Sequence, residues 1–553
     1  MMKNKNMDKD TRILILTGGV VPIEMQKLFG KIPSGLIPVN GIPAIFKTID
    51  NLLSKGYTNI SVGVGFKKNK IIQLLNQKYG DFIDFEFISV NPKLTPGNSI
   101  IESIKKIKEK KLLVILASTI LEKSLLQKIN FKKNILLSSN NFSDSSKWCI
   151  VKTKKDKIIS VFEKPKKIER HSDYSAMIGI YFFNDLNFLK KISKNKSNQK
   201  KIPISDLLIE YNKSKPISVI KSEYWYDVGN KNDYFASKKK LLQSRFFNFI
   251  ELDENNGIVT KKSQNKNKLN SEIDWYSSIP QKIKIKTPKI ISYSKNQSNI
   301  VMEHIQLPTL AEVWLYGNAN LKYWNNILGE LKKIVNEFNK ETHRVKKQDY
   351  HQMYIEKTDK RINKLLSNNS KFKKIFNDDK IVINGKIYRN WKNIKEEIFY
   401  EINQLFNKSD NCLLHGDLCF SNILYDLSNN QYKLIDPRGK WGSSIFGDIK
   451  YDVAKLRHSI VGGYDSINNE LFSVEYNKSK INFQVFKPSN YHKISREFDT
   501  WLSKRWNLTD IKLIEGLLFI SMLPLHQDNF KKQLAFYSIG IQRLNDVLIT
   551  KNN

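Results

Sequence analysis

Between Cys412 and Asp452 the chain reads CLLHGDLCFSNILYDLSNNQYKLIDPRGKWGSSIFGDIKYD, and this stretch restricts what the sequence around it can build. It sets His415, Asp417, Asn422 and Asp436 in order along a short span. Ile423 to Tyr425 reads as one strand, the turn-rich Asp426 to Asn430 reverses the chain, and Tyr432 to Ile435 returns. Such a hairpin carries Asp436 back beside Asn422, so two oxygen donors can share one hard cation. Mg²⁺ suits that pair, because it takes few protein ligands and completes its octahedron with phosphate and water. Asp417 precedes Asn422 by five positions, a spacing in which a carboxylate accepts a hydroxyl proton while the amide oxygen holds metal. The four side chains stand in the order that metal-assisted phosphoryl transfer needs.

HGDLCFSN resembles the HGDxxxxN loop of the aminoglycoside phosphotransferase and choline kinase superfamily, and LIDPRG resembles its DFG-equivalent. GDIKYDVAKLRHS is similar to the family's GDxxxDLA helix, with Asp452 in a structural role. The resemblance implies a bilobal α+β protein-kinase-like fold. It assigns Asp417 as the catalytic base, Asn422 and Asp436 as Mg²⁺ ligands, and ATP as the phosphoryl donor. Upstream residues fit the small lobe of such a fold. Phe247 to Leu252 reads as a strand, DENNG as a turn and Ile258 to Thr260 as a return strand carrying Lys261. Glu272, on the helix-like KLNSEIDWY, is the candidate ion-pair partner of Lys261, a pair that would place the ATP phosphates. The Gly-rich loop is reduced to Gly257, and KKSQNKNKLN (261–270) reads as an exposed loop. Ile300 to Ile305 reads as the strand entering the hinge, where the backbones of Glu303 and Ile305 would bond adenine. Further on, Leu321, Trp324, Ile327, Leu328, Leu331, Ile334, Val335 and Phe338 fall at helical spacing and read as core. Trp441, Arg438, His458, Tyr464 and Trp501 are candidates for the acceptor pocket, whose ligand the sequence does not specify.

The first ~240 residues alternate strands and helices, the pattern of an α/β sheet. The strand Ile13 to Thr17 runs into Gly18-Gly19, and glycine there allows backbone amides to approach phosphate. That strand, followed by GLIPVNGIPAIFKTIDNLL, resembles the start of sugar-nucleotide pyrophosphorylases and related nucleotidyltransferases. PGNS (96–99) falls where that family has its base-binding loop. VFEKP, with Glu163 and Lys164, matches its EKP segment. MIGIYFF, with Gly179, resembles its AGIYVF strand, and YWYDVGNKNDY its closing motif, in which Asp227 would bind metal. The resemblance implies a GT-A/Rossmann-like sheet taking CTP or another NTP. Three departures fall on chemistry. Gly18 to Gln26 (GGVVPIEMQ) lacks the family's arginine, Ser34 stands for the phosphate-binding lysine, and Ser118 stands for the second metal-binding aspartate. Lys27 or Lys31 could replace the lysine. Two readings stay open for this half, an active nucleotidyltransferase or a binding module that regulates or recruits the other half.

A chain of 553 residues is long for one domain. The boundaries fall at 1–245 for the nucleotidyltransferase-like half and 246–553 for the kinase-like half, with a small lobe to 305 and a helical lobe over 306–553. The net charge of +38 comes mostly from lysine spread among Asn and Ile, with no zinc-finger or RNP-like pattern, so nucleic acid is not an expected partner. The three cysteines form no CxxC pair, which fits a reducing compartment. The charged N-terminus lacks an apolar stretch, and Leu517 to Leu525 is too short to span a bilayer. A cytoplasmic protein without a membrane span is expected, of undetermined oligomeric state. The expected activity is phosphorylation of a hydroxyl on a sugar or amino alcohol, in surface polysaccharide or lipopolysaccharide precursor synthesis. Antibiotic modification is an alternative, opposed by the basic composition.

Overall fold

The computed structural model describes residues 10–142, 144–168, 172–196, 199–241, 248–253 and 256–552. The chain divides into two compact units, Met1–Leu242 and Gln243–Asn553.

The first unit is built on TRILIL, a strand buried along nearly its whole length at the centre of the parallel part of a mixed sheet. Nine strands form that sheet: β1 (Thr11–Leu16), β2 (Ile60–Val64), β3 (Glu86–Ser89), β4 (Lys111–Leu116), β5 (Asn134–Ser139), β6 (Cys149–Lys154), β7 (Lys157–Glu163), β8 (Tyr174–Phe183) and β9 (Ile217–Lys221). Their order is β3-β2-β1-β4-β8-β5-β9-β7-β6. The segment from β3 to β4 is parallel, with Ile13 opposite both Ile60 and Leu113, whereas β8 runs antiparallel to β4 with Phe182 opposite Leu113. Strand order switches at β1, with β2 on one side and β4 on the other, and in such sheets ligands bind outside the carboxyl ends of the strands at this point. Thr17, Gly18 and Gly19 follow β1 there, and Ser118 follows β4. A short pairing of Thr119–Ile120 with Tyr226–Asp227 brings Asp227 to the same end.

Helix α1 (Ile23–Phe29) follows Gly19 and buries Met25, Leu28 and Phe29. PGNS does not form a loop. It is the first turn of α2 (Pro96–Ile104), where Thr95 accepts the Asn98 N–H and Pro96 occupies the first turn. A threonine cap followed by proline favours a helix start. Gly97 permits the close approach, since a Cβ there would meet the Ile202 carbonyl oxygen at 2.2 Å.

In the second unit, β10 (Asn248–Asp253), β11 (Ile258–Ser263), β12 (Ile290–Ser294) and β13 (Asn299–Glu303) form an antiparallel sheet in the order β10-β11-β13-β12. Phe247 and the turn residues Glu254 and Asn255 lie outside the described residues. The expected loop over 261–270 is much shorter than read. β11 continues through Ser263, and α3 (Lys266–Ser278) begins as soon as Asn265 can cap it by accepting the Lys268 N–H at 3.1 Å. Polar composition concealed a capped helix start. Helix α4 (Leu321–Asn339) buries Trp324, Ile327, Leu328, Leu331, Ile334, Val335 and Phe338 on one face.

After α4 the helical run Lys347–His351 passes through one π-helical turn, Gln352–Glu356, into α5 (Lys357–Asn368). The hairpin β14 (Ile423–Asp426) and β15 (Gln431–Leu434) pairs Ile423 with Leu434. The helices that follow include α6 (Lys450–Ile460), α7 (Leu508–Ser521) and α8 (Phe530–Asn552). Of the apolar run Leu517 to Leu525, Leu517–Ser521 are buried in α7, whereas Leu523–His526 form a separate short turn in which Leu525 is exposed. Among the described residues no helix is long and apolar enough to cross a membrane.

Candidate functional site

Lys261 stands on β11, where alternation along the strand turns it inward, and Glu272 lies two turns into α3. The Lys261 ammonium donates to both Glu272 carboxylate oxygens, at 2.9 and 2.7 Å, and to Asp436 Oδ1 at 2.8 Å. Burial alone would lower the lysine pKa, but Asp436 and Glu272 reverse this and hold it well above its ordinary value. Glu272 is 3% exposed, and burial raises its carboxyl pKa against the pull of the lysine. The lysine is therefore a fixed cation, oriented by a carboxylate that water does not reach.

The hairpin turns Asp436 back toward Asn422, and the Ile435 N–H donates to the Asn422 carbonyl at 3.0 Å. Asp436 adopts φ 55, a left-handed conformation that short polar side chains tolerate and that is frequent where a site holds a residue in place. Asn422 donates its side-chain amide to the Asp417 carbonyl at 2.9 Å and to Asp417 Oδ2 at 3.1 Å. Its amide oxygen is thereby turned away from Asp417. That oxygen and the half-exposed Asp436 carboxylate form a donor set of the kind Mg²⁺ accepts, and the residues present fit such an ion.

The loop carrying Asp417 is anchored from α6. Asp452 accepts the His415 N–H at 2.7 Å and the Gly416 N–H at 2.9 Å. It is completely buried, and burial raises its pKa to about 7 despite these two bonds. His415 is fully buried against Trp275, and burial lowers its imidazole to about 4, so it acts as a neutral packing group. Gly416 has φ 74, and a Cβ there would come within 2.8 Å of Arg438 Cβ.

Lys455 on α6 pairs with Asp417 Oδ1 at 2.9 Å. Burial would raise the Asp417 pKa, but the Lys455 ammonium outweighs it and holds the carboxyl well below the usual range. Sequence reasoning missed Lys455. Its signal is the i, i+3 spacing from Asp452, which puts both on the loop-facing side of one helix.

The remaining expected nucleotide contacts lie at the end of β13. The Glu303 N–H donates to the Lys289 carbonyl at 2.9 Å, and His304 N–H to the Gly257 carbonyl at 2.9 Å. The Glu303 amide is therefore engaged within the sheet, and Ile305 follows just beyond it.

In the first unit Gly18 packs against Val90 and Gly65, and the Phe66 N–H donates to its carbonyl at 2.9 Å. A Cβ at Gly18 would meet Val90 Cγ2 at 2.5 Å, so strand packing requires this glycine, whereas Gly19 is open. Gly179 has φ 82 within the irregularity that interrupts pairing of β8 with β5. Glu163 accepts from the Ser205 hydroxyl at 2.8 Å, and Lys164 has φ 46. Asp227 is 6% exposed and accepts the Gly229 N–H at 2.7 Å. Burial raises its pKa to about 7. Beside it the Val228 N–H donates to the Ser118 carbonyl at 2.9 Å, so Ser118 occupies the position next to Asp227. Ser34 opens a short helical turn in which the Gly35 N–H reaches the Thr17 hydroxyl at 3.2 Å. No group of three or more His, Cys, Asp or Glu residues suited to a metal ion occurs among the described residues. Lys27 and Lys31 are exposed.

Residues 27–244 match the family model described as nucleotidyl transferase. The first unit contains a nucleotidyl transferase domain. No curated protein matches the chain. Among solved structures, a Bacillus anthracis protein described as a glucose-1-phosphate thymidylyltransferase, in complex with a sucrose, is 19% identical. That match covers 43% of this chain and 97% of the other, with a TM-score of 0.36. A UDP-glucose pyrophosphorylase complexed with UDP-glucose is 19% identical over 42% of this chain and 97% of its own, with a TM-score of 0.35. HddC from Yersinia pseudotuberculosis, complexed with GMP-PN, is 17% identical over 42% and 99%, with a TM-score of 0.33.

Proposed function

We propose that the second unit transfers the γ-phosphoryl group of ATP to a hydroxyl of a small metabolite. The observation carrying this reading is the junction at Lys261, whose ammonium meets Glu272 from α3 and Asp436 from the β14–β15 hairpin together. A buried cation held between a helix carboxylate and a candidate metal ligand is what positioning of a nucleotide's phosphates requires. Asn422 and Asp436 would hold Mg²⁺, which when bound neutralises charge on the β- and γ-phosphates. Asp417, kept ionised by Lys455, would orient the acceptor hydroxyl and take its proton late, as the new P–O bond forms. Asp452 keeps that carboxylate in place through the His415 and Gly416 amides.

The nucleotide site is tested by titrating the whole chain with Mg·ATP beside Lys261→Met and Asp436→Asn. Each substitution is expected to weaken binding by roughly tenfold or more, the order of one lost charge-assisted contact. Undiminished binding in both would contradict the assignment.

For the first unit a specific observation favours nucleotide or nucleotide-sugar binding without turnover. Asp227 is buried beside a serine, where pyrophosphate displacement would want a second carboxylate for metal. Pyrophosphate release from CTP or another NTP with sugar 1-phosphates would overturn this reading. It would instead support consecutive phosphorylation and nucleotide activation in surface-polysaccharide precursor synthesis.

A further inference from the structure

The second unit gathers more positive charge near Asp417 than the phosphotransfer reading uses, and the inference drawn from it rests on that reading. Arg438 lays its guanidinium on the Trp441 ring, 3.7 Å from the centroid. Lys357 stands over the same ring at 4.7 Å and over Tyr451 at 4.8 Å, and donates to the Tyr451 hydroxyl at 3.1 Å. Arg361, one turn further along α5, donates to the Ser521 carbonyl at 3.2 Å. The contacts of these three cations are rings, a phenol and a carbonyl. Among the described residues none of them meets a carboxylate at ion-pair distance.

Two buried donors in the same place lack acceptors. Arg438 Nε and Trp441 Nε1 are both enclosed and form no hydrogen bond. Both residues border Gly416, where an added Cβ would lie 2.8 Å from Arg438 Cβ and 3.4 Å from Trp441 Nε1. Gly416 immediately precedes Asp417, so the orphaned donors lie close to the carboxylate assigned to the acceptor hydroxyl. Leaving such donors unpaired is unfavourable, and so is crowding like charges. Burial, then Arg361, Arg438 and Lys455, hold the Lys357 ammonium well below its ordinary pKa. The π-helical turn ends at Glu356, immediately before Lys357, and turns of this kind recur at functional sites. An oxyanion would satisfy the donors and relieve the repulsion together.

We propose that the phosphoryl acceptor is a hydroxyl compound bearing a separate anionic group, a phosphate or a carboxylate, bound by Arg438, Lys357 and the Trp441 indole N–H. The acceptor oxygen bonds to the γ-phosphorus as the bridging P–O bond to ADP breaks, and the hydroxyl proton passes to Asp417. A quaternary ammonium or polycationic acceptor is disfavoured, because Arg438 and Lys357 already lie over the aromatic face that would attract it.

The test is ADP release by the full chain at saturating Mg·ATP. Glycerol 3-phosphate, glucose 6-phosphate, glycerate and gluconate are compared with glycerol, glucose, choline and kanamycin. Turnover is expected only with anionic compounds, and the phosphate and carboxylate arms decide which group is held. Arg438→Gln should raise the acceptor KM about tenfold or more while leaving kcat and the ATP KM within about threefold, and Arg438→Lys should recover part of the loss. Equal or faster turnover of neutral or cationic compounds would overturn the proposal with phosphotransfer intact. So would an Arg438→Gln effect on the ATP KM instead, since the cations would then serve the donor. If no compound is turned over, calorimetric titration with inorganic phosphate decides. Saturation in the wild type that is lost in Arg438→Gln and partly kept in Arg438→Lys upholds the anion site although the phosphotransfer reading has failed. Absent or undiminished binding overturns it.

Discussion

Asp417 lies under two opposed influences, burial and the Lys455 ammonium 2.9 Å away, and the ammonium prevails. Replacing Lys455 with methionine removes the largest influence opposing burial, so the Asp417 pKa should rise. If the ionised form acts as the proposed base, the acid limb of the kcat/KM profile should then move toward neutral pH. An unmoved limb would separate Lys455 from catalysis. Asp227 titrates in the opposite sense. Its folded pKa, about 7, exceeds its value of 3.8 in the unfolded chain, so between these values the folded state holds a proton that the unfolded state has released. Stability from this group is therefore full below about pH 4, declines as pH rises toward 7 and stays low above it. The whole effect is at most about 4 kcal/mol. Asp227→Asn should remove that decline, measured as the difference in chemical denaturation between the two proteins at pH 5 and pH 8. Identical pH dependence would contradict it.

At the level of elements, α6 supports the Asp417 loop through Asp452 and supplies Lys455 from its next turn. Asp452→Ala leaves two buried N–H groups without an acceptor and should destabilise the second unit by about 2–5 kcal/mol, with loss of activity at temperatures where the fold persists. Asp452→Asn, retaining one acceptor oxygen, should cost less, and thermal melting of both variants checks the order. The sequence displays the Asn422–Asp436 hairpin because its strands and turn are local, and it displays Lys261 and Glu272 because a strand and the next helix carry them. Lys455 has only its i, i+3 spacing from Asp452 as a signal, and Lys357 has none, because it comes from a helix far upstream of the Asp417 loop that packing alone brings to the site. Composition misled at 261–270, where a run of Lys and Asn contains the cap and first turn of α3. In the first unit PGNS was read by its family position, whereas Thr95 and Pro96 specify a helix start.

On the scale of the molecule, lysine distributed throughout a chain of net charge +38 conceals the few cations with a local purpose. Burial and the company they keep distinguish them. Lys261 lies between two carboxylates, whereas Lys357, Arg361 and Arg438 meet none among the described residues. The two units also differ in how complete their candidate sites are. The first has a nucleotidyl transferase domain whose buried Asp227 lacks a neighbouring carboxylate at Ser118. The second brings Lys261 from β11, Glu272 from α3 and the candidate metal ligands of one hairpin together, with Asp417 beside Asn422. Phosphoryl transfer through Asp417, as proposed, is tested most directly by ADP formation by the whole protein with Mg·ATP and a panel of hydroxyl acceptors. Acceptor-dependent ADP release that falls by about 10²–10⁴ in Asp417→Asn is the predicted result. Release that persists undiminished in that variant would contradict the account.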